Sequence, residues 1–113
     1  AGGLGVQLLG IGVNGHVGFS EPGSKNNSIC RVTNLAKSTI ERNDYDPSMR
    51  AITLGIADIL TARRLVLLAT GVAKASAIAS MIKAPKSANS PAILLRDHPD
   101  ILLFLDKAAA SHL

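Results

Sequence analysis

The stretch Val6-Gln7-Leu8-Leu9-Gly10-Ile11-Gly12-Val13-Asn14-Gly15-His16-Val17-Gly18-Phe19-Ser20-Glu21-Pro22-Gly23-Ser24 decides how the chain is read. Its apolar start, Val6 to Leu9, has the length and composition of a buried strand, and the glycines after it make a backbone-rich loop. In an open α/β sheet, loops at the strand ends are where ligands bind. Glycines 12 and 15 let the backbone approach such a ligand closely. His16 and Glu21 add two titratable groups, and the ordinary histidine pKa of about 6.5 suits proton transfer near neutrality. A single histidine is often only structural, and Glu21 by itself reads equally well as a surface carboxylate. Their spacing across two glycine-rich bends allows Glu21 to orient His16 and hold its tautomer. Asn14 is either a turn residue or an amide that holds a sugar hydroxyl.

Outward from this loop, the remaining segments alternate. Ile29 to Leu35 reads as a short strand, Ser38 to Arg42 as a polar helical turn, and Asn43 to Pro47 as a turn or lid-like loop. Ala51 to Leu54 is strand-like. Ile56, Ile59 and Leu60 give Gly55 to Ala62 a helical spacing. Arg64 to Thr70 and Ile101 to Leu105 are two more apolar strands, with an alanine-rich helix from Lys74 to Lys83 between them. Ser90-Pro91 opens another helix, with Ser90 as N-cap and Pro91 at the first position. Asp106 to Leu113 reads as a closing helix. Apolar strands alternating with helices predict an α/β domain: a three-layer, doubly wound, mostly parallel sheet covered on both faces.

The chain has 113 residues, enough for one small domain. With only Phe19, Tyr45 and Phe104 as aromatics, aliphatic side chains must fill the core. The formal charge is +4, but its basic residues are dispersed, and no basic stripe with interleaved aromatics points to nucleic acid. Cys30 is the single cysteine, so no intrachain disulfide forms, which leans towards a reducing, cytoplasmic setting. No apolar run reaches membrane-spanning length. The three histidines are far apart and no metal-ligand spacing occurs. Gly10-x-Gly12-x-x-Gly15 formally matches a dinucleotide fingerprint, but Gly18, Pro22 and Gly23 prevent a helix from opening at the third glycine. No cofactor is expected. Lys74 falls in the first turn of a helix, where a cation is mildly unfavourable unless an anion such as phosphate shares the site.

Leu9 to Gly23 closely resembles the signature of the glucosamine-6-phosphate deaminases (isomerases), roughly L-G-[IL]-G-x-[DN]-G-H-[IV]-[GA]-F-N-E-P. The similarity continues through Arg31-Val32, Ala51 to Gly55, and Thr70-Gly71-x-x-Lys74-Ala75, and it spans the chain as the C-terminal half of that family's domain. The 6-phosphogluconolactonases share the fold but carry a different tail after the histidine. The resemblance implies conversion of an amino-sugar 6-phosphate to fructose 6-phosphate and ammonia. It implies catalytic roles for His16, Glu21 and Asn14, and substrate contacts at Gly12, Gly15 and Lys74. The expected partner is a phosphorylated amino sugar, and the sequence leaves a homo-oligomer open.

Several departures from the pattern stand out. Ser20 replaces Asn, a mild change. A phosphate-binding arginine of the family falls at Tyr45, with Arg42 nearby but not equivalent, which keeps galactosamine 6-phosphate as an alternative substrate. Of the family's effector positions, Ser24 and Arg31 match, while Lys25, Thr33 and Asn34 do not, so allosteric activation is not expected. The family's general-base aspartate and phosphate loop belong to an N-terminal half. The start at Ala1-Gly2-Gly3 reads as that of a fragment, expected to turn over little alone and to expose an apolar face and a sheet edge. A non-catalytic sugar-phosphate-binding relative is the alternative from another class.

Overall fold

In the computed structural model, which describes residues 2–86 and 89–113, three parallel strands form the main sheet. β1 (Val6–Leu9) pairs with β4 (Arg64–Ala69), and β4 pairs with β5 (Ile101–Leu105), in the order β1-β4-β5. The register sets Leu9 against Leu67 and Ala69 against Leu105. All three strands therefore end at the same edge, and the loops that follow them meet there.

A separate antiparallel pair joins β2 (Arg31–Asn34) and β3 (Arg50–Thr53), with α1 (Lys37–Asn43) in the connection between them. Sequence patterning did not separate this pair from the parallel sheet, because four-residue strands carry no directional signal. α1 stops at Asp44, whose left-handed φ of 53° closes the helix. α2 (Ile56–Leu60) is shorter than the expected 55–62 helix. Its N-terminus is held by the Asp58 carboxylate on the Gly55 N–H (3.0 Å) and by Ser28, whose hydroxyl accepts from the Ile56 N–H (3.0 Å). A 3-10 turn, Val72–Lys74, leads into α3 (Ala75–Lys83).

Two expected helices differ in the structure. Pro91–Asp97 is a 3-10 helix; Pro91 sits at its start, but the Ser90 hydroxyl makes no capping bond. Residues after β5 form turns rather than a helix. The Asp106 carboxylate accepts from the Ala109 N–H (2.7 Å) and the Gly71 N–H (3.1 Å), so it ties the turns after β5 to the loop after β4.

Alternation along the strands explains the layers. Leu9, Leu65, Leu67 and Ala69 point into a core completed by Ile56, Ile59, Ile78, Met81 and Leu95 from the helical side. On the opposite face Val6, Leu8, Leu68, Leu102 and Phe104 stand exposed. The expectation of helices on both faces is therefore met on one face only, and the expected apolar face is present. No aromatic enters the core: Phe104 is 54% exposed, while Phe19 and Tyr45 line a cavity.

Adjacent leucines of β4 give a direct test. Leu67 is fully buried and Leu68 is 46% exposed. Leu67→Ala is expected to cost about 2–5 kcal/mol in urea unfolding and Leu68→Ala about 0.5 kcal/mol or less. Equal losses would contradict the one-sided core.

Candidate active site

Parallel pairing of β1 and β4 places the glycine loop after Leu9 beside the turn after Ala69. The Lys74 ammonium donates to the Ile11 carbonyl at 2.6 Å, bridging 63 residues of sequence. Within the loop, the Gly12 N–H bonds the His16 carbonyl (2.9 Å) and the Gly15 N–H bonds the Gly12 carbonyl (2.9 Å). This tight turn folds the imidazole back over Gly12. A Cβ at residue 12 would lie 2.1 Å from His16 Cε1, so only glycine fits. Gly15 has φ +83°, and its α-carbon abuts the Ser90 side chain. The backbone of both glycines thus shapes the seat of the histidine.

His16 Nδ1 lies 2.7 Å from Asn14 Oδ1. That oxygen also accepts the His16 backbone N–H at 3.0 Å, which identifies it as the amide oxygen because a backbone N–H only donates. The ring nitrogen facing it must then carry a hydrogen, leaving Nε2 as the acceptor of the neutral ring. Asn14 Nδ2 donates in turn to Glu21 Oε2 (3.0 Å) and Ser38 Oγ (3.1 Å). His16 Nδ1 stands 3.5 Å from Glu21 Oε1, so the shorter route between the two groups runs through the amide. Both amide hydrogens and the amide oxygen of Asn14 are thus engaged with protein.

Glu21 is 7% exposed and accepts from Thr39 Oγ1 at 2.8 and 3.0 Å. Thr39 and Ser38 were missed in the sequence, although the i, i+3 and i, i+4 spacing of Thr39 and Ser38 with Arg42 marks a common helix face. The loop is anchored further by Phe19 N–H on Thr53 Oγ1 (3.0 Å) and by the buried Ser20 hydroxyl on the Leu54 carbonyl (3.4 Å). Serine at residue 20 thus has a role of its own where the family pattern has asparagine.

These groups border a cavity of about 430 Å³, lined by the loop backbone from Gly10 to Asn14, His16, Phe19, Ser38, Thr39, Arg42, Tyr45 and Lys74. Its size is in the range of small-molecule sites. Burial pushes the His16 pKa below 6.5; Glu21 opposes the fall and Lys74 adds to it. Burial, and then the charge of Arg42, lowers the pKa of Lys74. Ser24 and Arg31 meet elsewhere: the Arg31 guanidinium donates to Ser24 Oγ (3.2 Å) beside a second hollow lined by Pro22, Lys25 and Asn34. Among the described residues no cluster of metal-ligating side chains occurs.

A family profile described as glucosamine-6-phosphate isomerases/6-phosphogluconolactonase matches residues 3–103. The chain belongs to this family. It is 46% identical over 117 residues to a glucosamine-6-phosphate deaminase of Rhodopirellula baltica, an alignment covering 98% of the chain and 47% of the relative. It is 48% identical over 120 residues to one of Shewanella woodyi, covering 100% and 45%. A solved structure of a monomeric glucosamine-6-phosphate deaminase superposes with a TM-score of 0.89 at 39% identity, over 96% of this chain and 48% of that one. The 6-phosphogluconolactonase of Trypanosoma brucei gives 0.78 at 27%, over 96% and 42%. The chain spans about half the length of the relatives it matches. Within the family frame, the parallel sheet with helices is part of the larger α/β domain.

The electrostatics give signed predictions for an NMR titration of the His16 ring. The pKa is expected below 6.5, lower still in Glu21→Gln and higher in Lys74→Met. A folded His16 that resists protonation leaves stability intact above pH 6.5. Stability falls as the pH drops through 6.5 towards the depressed value, because the unfolded chain then binds more protons. Opposite shifts in the two variants would contradict the geometry.

Proposed function

We propose that this chain is the C-terminal part of a glucosamine-6-phosphate deaminase, converting glucosamine 6-phosphate and water to fructose 6-phosphate and ammonia. The observation that supports it is the His16–Asn14–Glu21 chain of hydrogen bonds beside Lys74 on one cavity. The neutral imidazole, with its proton at Nδ1, accepts the proton of the anomeric hydroxyl at Nε2. The C1–O5 bond then breaks and O5 receives a proton, giving the open-chain aldose. Asn14 and Glu21 stabilise the imidazolium while it lasts. Transfer of a proton from C2 to C1 through an enol intermediate puts the C–N bond at the ketone level, and water replaces the nitrogen. The group that moves the C2 proton is assigned to the other half of the enzyme. Lys74 supplies charge for the phosphate.

The reading extends to a cytoplasmic setting, on the strength of the single cysteine. Among the described residues no helix is long and apolar enough to cross a membrane.

The test is ammonia release from glucosamine 6-phosphate and, separately, galactosamine 6-phosphate by the full-length gene product. Release is expected with the gluco sugar. His16→Ala is expected to reduce it about a hundredfold or more, as for a general acid–base group. No release with either sugar, or release unaffected by His16→Ala, would contradict the assignment.

A further inference from the structure

We propose that Arg42 is the second cation, with Lys74, that grips the phosphate of the substrate, from a helix position one turn before Tyr45. The inference rests on the proposed function for the identity of the ligand, and on the following geometry for the site.

Arg42 sits in the last turn of α1 and lines the same cavity as His16 and Lys74. Neither cation has a carboxylate partner within 4.0 Å among the described residues. The neighbouring Glu41 faces Lys37 instead, at 3.7 Å. Lys74 is held by a neutral carbonyl, that of Ile11. Glu21, beside His16, is buried behind Asn14 and Thr39, which occupy its oxygens. Two positive side chains thus border one hollow without a countercharge, and the repulsion is felt at Lys74. A neutral sugar leaves that imbalance in place, whereas a phosphate dianion removes it. The planar guanidinium fork matches phosphate oxygens and Lys74 adds a point charge. Tyr45, at the position where the family resemblance expects arginine, contributes a phenol and no charge. Arg42, in the last turn of α1, and Tyr45, just past the left-handed Asp44 that closes the helix, line the same hollow.

The experiment is calorimetric titration of the full-length gene product with inorganic phosphate, glucosamine 6-phosphate and unphosphorylated glucosamine, at fixed ionic strength because exposed charges are screened. Arg42→Ala is expected to weaken both phosphate-bearing ligands about tenfold or more, as for a charged hydrogen bond. Arg42→Lys should recover part of the loss, and the response to glucosamine should be the same in all three proteins. Unchanged affinity of Arg42→Ala for glucosamine 6-phosphate, with the wild type binding it, overturns the role of Arg42 and leaves the proposed function standing. Binding of inorganic phosphate that depends on Arg42, with no gain from the sugar, supports the anion grip and removes the substrate. A wild type that binds no phosphate-bearing ligand overturns both.

Discussion

The parallel register of β1 on β4 is the constraint from which the site follows. Because Leu9 lies opposite Leu67, both strands release their chains at the same sheet edge. The loop carrying His16 and the turn carrying Lys74 are thereby neighbours, joined by the bond from Lys74 to the Ile11 carbonyl. A one-residue slip would turn Leu67 out of the core and Leu68 into it, so burial on the covered face holds the register. The energy of the aliphatic core and the placement of the chemistry therefore share one cause.

Within the loop, steric and polar demands divide the work. Gly12 makes room for the imidazole, and Asn14 fixes which of its nitrogens holds the proton. Glu21 acts mainly through that amide and is itself held by Thr39 from another element. Such a network stays useful only if each member is satisfied, since an unpaired buried carboxylate is costly. This explains why α1 presents hydroxyls to the loop: Thr39 donates to Glu21, and Ser38 accepts the second amide hydrogen of Asn14.

Much of this was legible in the sequence, and for physical reasons. Apolar runs such as 65–69 and 101–105 announce strands, and the Gly10–Ser24 pattern is long enough to specify both family and local turn geometry. The charge on Lys74 at a helix start pointed to the right edge of the sheet. What escaped depends on tertiary placement. The separation of β2 and β3 from the parallel sheet leaves no trace in four-residue strands. Residues 106–113 form turns, and the Asp106 bond to the Gly71 N–H joins segments 35 residues apart, which no local pattern announces. Thr39 is an ordinary helix residue until the fold sets it against Glu21, and Arg42 gains meaning only beside Lys74.

The central claim is that Asn14 holds His16 in the tautomer with hydrogen at Nδ1. Long-range proton–nitrogen NMR correlation of the His16 ring, at a pH where the ring is neutral, tests it directly. The account predicts a protonated-type Nδ1 and an unprotonated Nε2. A hydrogen resident on Nε2, or an average over both tautomers, would contradict it and remove the acceptor that the chemistry requires.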